Sequence, residues 1–232
     1  MAEVVLALKN VTKVYGKGEG EVTALHHVSL AFEQGEFAAV VGPSGSGKTT
    51  LLNIIGCLDS PTEGELAWKG VQMKSMNKTE LAAYRRTHVS FVFQSYNLIP
   101  VLTVTENVEL PLLIEGNHDR PQIRERARAI IAMVGLSDKA GRFPTELSGG
   151  QEQRVAIARA LVKNPSIVLA DEPTANLDSH TASEIIELMG EINRKTNTTF
   201  LFSTHDPRIM ELAHRVITLR DGQIESDERR AP

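Results

Sequence analysis

The sequence feature that most constrains the fold is a glycine-rich stretch at residues 42–49, GPSGSGKT, which matches the phosphate-loop pattern G-x-x-x-x-G-K-[ST] in full. An apolar run at residues 37–41 precedes it, and leucine and isoleucine at helical spacing follow it. This order predicts a strand, a loop and a helix. Glycines let successive backbone N–H groups point at phosphate oxygens, and the helix adds its positive N-terminal end. The alternative, a glycine-rich turn without a ligand, is disfavoured because all the ordered positions match.

The phosphate loop predicts a nucleotide site and gives its polar side chains separate tasks. We expect Lys48 to reach the β- and γ-phosphates and to take part in catalysis, and Thr49 to offer its hydroxyl to Mg²⁺. The residues predicted to bind the nucleotide here are Gly42, Ser44, Gly45, Ser46, Gly47, Lys48, Thr49 and Thr50.

A second apolar strand is predicted to supply a carboxylate to the same site. Residues 167–170, IVLA, are apolar and Asp171 follows them directly. A phosphate-loop protein needs a Mg²⁺-holding carboxylate at such a strand end, so Asp171 is predicted as the metal contact beside Thr49. Taken alone, an Asp in this place would equally suit the cap of a turn. Because the chain also has a phosphate loop, the interpretation of Asp171 as a metal ligand is favoured over that of a turn cap.

The rest of the chain predicts an α/β core with a β region before it and a helical insertion within it. The first 35 residues have the short apolar runs and turns of antiparallel strands. After Pro165, buried strands alternate with helices, and Asp221-Gly222 indicates a hairpin. Residues 95–163 contain helix starts instead, with Asp119 three positions before Gln122 as one example.

Composition limits the partners and the compartment. Twenty-five Lys and Arg against 29 Asp and Glu give a formal charge of −4, so no overall positive field favours nucleic acid or acidic lipid. The single cysteine, Cys57, cannot form an internal disulfide, and the N-terminus lacks the features of a signal peptide. Polar residues interrupt the longest uncharged run, residues 87–105, so no transmembrane helix is predicted. We therefore expect a cytosolic chain whose membrane role depends on a partner.

The pentapeptide LSGGQ at residues 147–151 predicts a second phosphate-binding helix start. Ser148 and Gln151 have the spacing of a capping box, and the two glycines leave the helix N-terminus bare. Such an end can hold a phosphate. It can also be a helix cap without a ligand, and the motif alone leaves both interpretations open.

Together, the phosphate loop, LSGGQ and LADEP at residues 169–173 make the chain resemble the nucleotide-binding subunit of an ATP-binding cassette (ABC) transporter. The resemblance covers nearly the whole length. It implies an α/β fold with a RecA-like P-loop NTPase core, an N-terminal antiparallel β subdomain and an inserted helical subdomain. Residues 1–232 would then form one ABC ATPase domain, with 1–94 and 164–232 as the catalytic core and 95–163 as the helical subdomain.

The resemblance also implies a cofactor and a partner. In this family two cassettes pair head to tail, and each ATP with its Mg²⁺ lies between the phosphate loop of one chain and LSGGQ of the other. The homodimer explains why one chain carries two phosphate-binding helix starts. The residues that would meet the partner's ATP are Ser148, Gly149, Gly150 and Gln151.

Further residues receive roles through the resemblance. Tyr15 resembles the aromatic that stacks on adenine, although a lone Tyr near a strand is more often ordinary packing. Gln94 resembles the glutamine that contacts Mg²⁺ and the attacking water, and otherwise suits a solvated loop. Glu172 is expected to be the catalytic base and His205 to contact the γ-phosphate. Asp178 resembles a residue of the loop that crosses the dimer interface, and could equally cap the next helix.

Two residues, Glu152 and Ala175, depart from the pattern of the family. Glu152 follows LSGGQ where relatives often have Gln, and Ala175 replaces a frequent Gly. Neither supplies a predicted phosphate contact, so activity is expected to persist, while the geometry of the interface loop near Ala175 is left open.

The histidines other than His205 are expected at the surface or in packing: His26, His27, His88, His118, His180 and His214.

Segments around residues 55–59, 93–100 and 204–207 resemble the branch of lipoprotein-releasing (LolD-type) and macrolide-exporter (MacB-type) ATPases. This implies a separate integral-membrane permease as partner, a periplasmic adaptor as an optional one, and a peripheral place on the cytoplasmic face of a bacterial inner membrane. An ATPase that signals or scaffolds in a cell-envelope complex is the alternative. Apolar residues after Gln94 could form the patch for the permease or fill the helical subdomain: Leu98, Ile99, Val101 and Leu102.

Other classes fit less well. A GTPase needs an Asn-Lys-x-Asp sequence, and residues 77–80 read NKTE. A cassette acting on DNA or ribosomes predicts a second cassette, a coiled-coil insertion or a basic arm, and the sequence has none of these. The sequence does not identify a cargo.

Overall fold

The computed structural model describes residues 3–116 and 119–230, so the prediction for His118 lies outside the described residues. In chain order, the described strands are β1 (Val4–Tyr15), β2 (Val22–Glu33), β3 (Phe37–Val41), β4 (Glu63–Trp68), β5 (Val71–Gln72), β6 (Val89–Phe93), β7 (Ile167–Asp171), β8 (Thr199–Ser203), β9 (Arg215–Arg220) and β10 (Gln223–Arg229). The α-helices are α1 (Lys48–Ile55), α2 (Lys78–His88), α3 (Val104–Ile114), α4 (Arg120–Met133), α5 (Gly149–Leu161), α6 (Ser179–Thr196) and α7 (Pro207–Leu212).

The main sheet has the strand order β10-β9-β3-β8-β7-β6. Neighbours from β9 to β6 run parallel, and β10 pairs antiparallel with β9. Every residue of β3 and β8 is buried, as expected for short apolar strands covered on both faces. The predicted α/β core is confirmed.

A second, antiparallel sheet has the order β2-β1-β4-β5. Its two long strands come from the N-terminal residues that the sequence predicted as antiparallel. The hairpin of β4 and β5 also joins this sheet and was not predicted. The N-terminal β subdomain of the expected fold is thus present, with two more strands than the sequence indicated.

The main sheet lies between two hydrophobic cores, because alternate residues of a strand point to opposite faces. In β3, Phe37 and Ala39 belong to the core shared with the helices of the insertion and with α6. Ala38 and Val40 belong to the core shared with α1 and the antiparallel sheet, which includes the fully buried Trp68. The sheet therefore fixes both layers relative to its own strand ends.

Helices α3 to α5 lie between β6 and β7 in the chain, which agrees with the predicted helical insertion. Thr103 and Glu106 form a capping box at the start of α3, and Ser148 and Gln151 form the predicted one at α5. Asp119 accepts a hydrogen bond from the backbone N–H of Gln122, as its spacing predicted for α4. None of the helices in the described ranges is long and apolar enough to cross a bilayer.

Candidate functional site

The candidate site lies at the carboxyl ends of the parallel strands, where a ligand is expected in an open α/β sheet. The phosphate loop follows β3, Gln94 follows β6, Asp171 ends β7 with Glu172 directly after it, and His205 follows β8. These residues border one cavity of about 710 Å³. The phosphate loop contributes Gly42, Pro43, Ser44, Gly45, Gly47, Lys48 and Thr49, whereas the predicted Ser46 is buried and does not line the cavity. The other lining residues are Val22, Thr23, Ala24, Thr50, Ala175 and Ser203. The structure thus brings the predicted residues from four strand ends together.

The phosphate loop is packed closely against two other segments of the chain. Gly42 and Gly47 have positive φ angles of 148° and 104°. A Cβ atom on Gly42 would lie 2.0 Å from the carbonyl oxygen of Leu219, and one on Gly47 would lie 2.4 Å from that of Ala24. The backbone N–H of Gly222 donates to the carbonyl of Ser46 over 3.1 Å. Side chains at these two glycines would displace the loop, which explains the glycines by geometry.

Lys48 and the first turn of α1 leave donors for a ligand. The Lys48 ammonium donates to the carbonyl oxygens of Gly42 at 2.8 Å and of Pro43 at 3.0 Å, so it spans the mouth of the loop. The helix begins after Gly47 without a side-chain cap. Uncapped N–H groups at a helix start and a lysine are the donors that a phosphate group uses.

Thr49 and Asp171 form the pair of oxygen ligands predicted for a metal. The Thr49 hydroxyl lies 3.3 Å from Oδ2 of Asp171.

Gln94 borders the same cavity, and two hydrogen bonds with Asn176 hold it in place. Its Nε2 donates to Oδ1 of Asn176 at 3.2 Å, and Nδ2 of Asn176 donates to the Gln94 carbonyl at 3.0 Å.

Glu172 and His205 form a close pair at the edge of the cavity. Oε1 of Glu172 lies 2.9 Å from Nδ1 of His205, and the Thr204 hydroxyl lies 3.5 Å from Oε2. The backbone N–H of Glu172 donates to Ser203 over 2.9 Å. Glu172 has a φ of 47°, a left-handed conformation that costs a non-glycine residue about 1–2 kcal/mol. Backbone strain of this kind is more frequent at functional residues than elsewhere. In this backbone conformation the Glu172 carboxylate lies beside the His205 imidazole.

The LSGGQ segment does not border this cavity. Oγ of Ser148 accepts from the N–H of Gln151 at 3.4 Å, and Oε1 of Gln151 accepts from the N–H of Ser148 at 3.1 Å. Gly150 lies against α6, where a Cβ atom would come within 2.3 Å of Cγ2 of Thr181. Among the described residues that line the phosphate-loop cavity, none comes from residues 148–151.

Comparison with known proteins identifies the family. A family description given as "ABC transporter" matches residues 25–175, and an AAA domain description matches residues 144–211. The chain belongs to the ABC transporter family. This cassette therefore binds and hydrolyses ATP.

Relatives support this membership over the whole chain. An ABC transporter ATP-binding protein of Methanocaldococcus jannaschii is 47% identical over 216 residues, which cover 93% of this chain and 96% of that protein. One of Thermotoga maritima is 46% identical over 226 residues, covering 97% and 96%. The macrolide export ATP-binding/permease protein MacB of Hyphomonas neptunium is 45% identical over 227 residues, covering 98% of this cassette but 35% of MacB.

Solved structures agree with the fold. The ATP-binding cassette MJ0796, in a dimeric post-hydrolysis state bound to ADP and Pi, superposes with a TM-score of 0.88 at 46% identity. The match covers 98% of this chain and 99% of that one. A second dimeric structure of MJ0796, described as a bacterial ABC transporter cassette, gives the same values.

Tyr15 of the cassette lies next to the cavity but does not line it in this structure. Its hydroxyl donates to Asp59 at 2.8 Å, and the Lys13 ammonium lies 4.9 Å from its ring centroid. Burial by itself raises the pKa of Asp59. The hydrogen bonds that the carboxylate accepts from Lys13 and Tyr15 outweigh burial, so the pKa of Asp59 is lowered. In the strand ladder Tyr15 pairs with Val22, which does line the cavity. The predicted adenine contact thus remains a prediction.

Asp178 caps α6. Its Oδ1 accepts from the N–H groups of His180 and Thr181 at 3.0 Å each, and its Oδ2 accepts from the Thr181 hydroxyl at 2.6 Å. The capping alternative is therefore present in this structure, and the interface role remains a prediction.

A groove of about 680 Å³ lies between β6, α2 and the insertion helices of the cassette. Its exposed apolar residues include Leu58 and Ile114. In the predicted apolar patch, by contrast, Val101 is 77% exposed while Leu98 packs against the core. Leu98, Ile99, Val101 and Leu102 are absent from the described lining of the groove. Basic side chains also border it, namely Arg85, Arg86, Arg159 and Lys163.

Sequence reasoning missed three polar contributors near the site. Asn176 pairs with Gln94, and Thr174 donates to Asp206 over 2.9 Å. Asp206 is the N-cap of α7. The signal for Asn176 and Thr174 was their place directly after the LADEP segment, but their partners are distant in sequence.

Proposed function

We propose that this chain is the ATP-hydrolysing subunit of a transporter and that it works as a head-to-tail homodimer. The observation that carries this proposal is the position of LSGGQ. The chain has two helix starts able to hold a phosphate, and the one at Ser148 lies outside the cavity bordered by the other. A second copy, turned by a two-fold axis, can place its LSGGQ over the first copy's phosphate loop. The dimeric MJ0796 structures support such a pairing.

The residues of the cavity fit ATP together with Mg²⁺. The Thr49 hydroxyl and the Asp171 carboxylate are 3.3 Å apart and are the hard oxygen ligands that Mg²⁺ prefers. When bound, Mg²⁺ neutralises charge on the β- and γ-phosphate oxygens. Gln94 would add its side-chain oxygen as a third ligand, an atom that the Nε2 hydrogen bond to Asn176 does not use.

The protein's own groups divide the remaining work of hydrolysis. Lys48 exchanges its two carbonyl acceptors for the β- and γ-phosphates. Glu172 orients the attacking water and accepts its proton. His205 contacts the Glu172 carboxylate over 2.9 Å, and we propose that it also contacts the γ-phosphate. LSGGQ of the other protomer supplies N–H donors to the same phosphate and shields the site from bulk water, while the attacking water stays in it.

The composition of the groove supports the proposal that the chain binds a membrane partner. It combines exposed apolar side chains such as Ile114 with four basic residues, and it borders β6, whose end carries Gln94. A short segment of a permease in this groove could therefore move Gln94 toward or away from the site. MacB, of which the chain spans about a third, is named as both ATP-binding protein and permease. We propose a separate MacB- or LolCE-like permease, an export or lipoprotein-extrusion role, and a peripheral place on the cytoplasmic face of the bacterial inner membrane.

Complementation between two inactive variants tests the composite site. Lys48→Ala damages the phosphate-loop half of a site, and Ser148→Arg damages the LSGGQ half. Each variant alone should be inactive, but a mixed dimer has one site with two intact halves. Because about half the dimers in an equal mixture are mixed, ATPase activity should recover to about a quarter of wild type.

A second mixture is the control. Lys48 and Glu172 lie in the same half of a site, so Lys48→Ala mixed with Glu172→Gln should not recover. Absence of recovery in the first mixture would contradict the head-to-tail arrangement.

The membrane partner needs a different experiment. Ile114→Glu should prevent co-purification of the chain with its permease while ATP hydrolysis by the isolated chain stays at the wild-type rate. Val71→Glu places the same charge at another exposed apolar residue, on β5. If both variants co-purify equally well, the groove is not the docking site.

A further inference from the structure

Two loops meet beside the catalytic pair. We call residues 173–178 the PTANLD loop and residues 204–206 the histidine loop. They follow the neighbouring strands β7 and β8, so they leave the sheet side by side. Both loops border a second cavity of about 370 Å³, together with Glu172. Side-chain contacts between the two loops would therefore transmit a displacement of one loop to the other.

The strongest connection is a buried hydrogen bond. The Thr174 hydroxyl donates to Oδ2 of Asp206 at 2.9 Å, and the two residues are only 4% and 8% exposed. The same carboxylate accepts from Arg208, through Nε to Oδ1 at 2.9 Å and through Nη2 to Oδ2 at 2.6 Å. These bonds from Arg208 lower the pKa of Asp206, although burial acts the other way. The carboxylate is thus ionised and held from several directions.

This arrangement exceeds what a helix cap requires. As the cap of α7, Asp206 needs one bond from Oδ1 to the N–H of Arg208, and that bond is present at 3.0 Å. Oδ2 is not used by the cap. It is used by Thr174, a residue of the other loop, and by the guanidinium of Arg208.

The connection continues in both directions. The N–H of Asp206 donates to the Thr204 hydroxyl at 3.0 Å, and Thr204 is followed by His205, which contacts Glu172. On the other side, Arg208 donates to the carbonyl oxygen of Ser179 at 2.6 Å, the residue after Asp178. Asp206 therefore lies between the catalytic pair and both ends of the PTANLD loop.

We propose that Asp206 is a positioning residue that, through Thr174, couples the PTANLD loop to His205 and Glu172. This inference rests on the proposed head-to-tail dimer, in which the PTANLD loop meets the second protomer. Closure of the dimer then sets the loop, the loop sets Asp206 through Thr174, and Asp206 sets His205 against Glu172. The bond controls hydrolysis and leaves ATP binding to the phosphate loop.

Removal of one hydroxyl tests this coupling. Thr174→Val keeps the shape of the side chain and deletes the bond, while the bonds from Arg208 still satisfy Asp206, so the variant should fold. We expect kcat for ATP to fall about tenfold or more, the effect of one hydrogen bond to a charged group, with the Kd for ATP unchanged. Thr174→Ser keeps the hydroxyl and should restore most of kcat.

A matched control separates coupling from loss of stability. Thr199 is also fully buried, and its hydroxyl accepts from the N–H of Gly35 at 3.0 Å, but it lies at the opposite end of β8. Thr199→Val should lower Tm and leave kcat at the wild-type value. Stopped-flow phosphate release and calorimetric ATP titration on the purified full chain give both constants.

Three results would overturn the proposal: a wild-type kcat in Thr174→Val, an equal fall in ATP affinity, or failure of Thr174→Ser to restore turnover. These measurements need only the isolated chain. Failure to find a permease, which would count against the proposed transport role, therefore leaves this test intact.

Discussion

Replacing Glu172 by Gln removes a proton acceptor and changes little else. The two side chains have the same shape, and the 2.9 Å contact with His205 can be kept by the amide. The φ of 47° is a property of the backbone and is equally strained in both. A general base contributes about 10²- to 10⁴-fold to a rate. We therefore expect kcat to fall by that factor, which corresponds to about 3–5 kcal/mol in the activation free energy.

ATP binding should survive this change, because we propose that the phosphate contacts come from Lys48 and the loop rather than from Glu172. Loss of a negative charge beside the γ-phosphate should leave the Kd equal or lower. With binding intact and cleavage blocked, an ATP-bound dimer should accumulate.

Phosphate release measures the rate, and gel filtration with light scattering measures the dimer. Glu187→Gln, on the exposed face of α6, provides the same substitution away from the site. Turnover of Glu172→Gln within about threefold of wild type would refute the assignment of Glu172 as the base.

Three further predictions concern binding, packing and the thiol. Lys48→Ala should weaken ATP affinity about tenfold or more in a calorimetric titration, because it removes the charged donor that we propose for the phosphates. Gly150→Ala should lower the free energy of unfolding by about 1–3 kcal/mol, since its Cβ would lie 2.3 Å from Cγ2 of Thr181; Thr181→Ser in the same chain should recover most of it by urea unfolding. Burial raises the pKa of Cys57 to about 11, so at pH 8 a thiol reagent should label the folded chain about a hundredfold more slowly than the chain in denaturant.

The fold could be predicted where a local pattern had one meaning. The phosphate loop required a strand before it and a helix after it, and capping residues such as Ser148 and Asp119 marked helix starts that the structure contains. Helix α2 was missed because none of its residues is fully buried and only Leu81 and Tyr84 pack against the core, which leaves a weak apolar pattern. Helix α3 was missed because Pro111 lies inside it, although Thr103 and Glu106 form its capping box.

The site could be predicted in its parts but not in its connections. Lys48, Asp171, Glu172 and His205 each follow a recognisable strand, and parallel strands end at the same edge. The pairing of Gln94 with Asn176 joins residues 82 positions apart, and it exists only because β6 lies next to β7. Such contacts depend on strand order, which a local pattern does not specify.

The contact of the phosphate loop with the β9–β10 hairpin makes that hairpin a structural support of the loop, although the hairpin does not line the cavity itself. Gly42 rests on the carbonyl of Leu219, and Gly222 donates to Ser46. A deletion or a rigid fusion that disturbs this hairpin should impair triphosphate capture, even though about 180 positions separate Gly42 from Leu219 in the sequence. Strands β9 and β10 thus support the phosphate loop, and an expression tag fused next to them needs a flexible spacer.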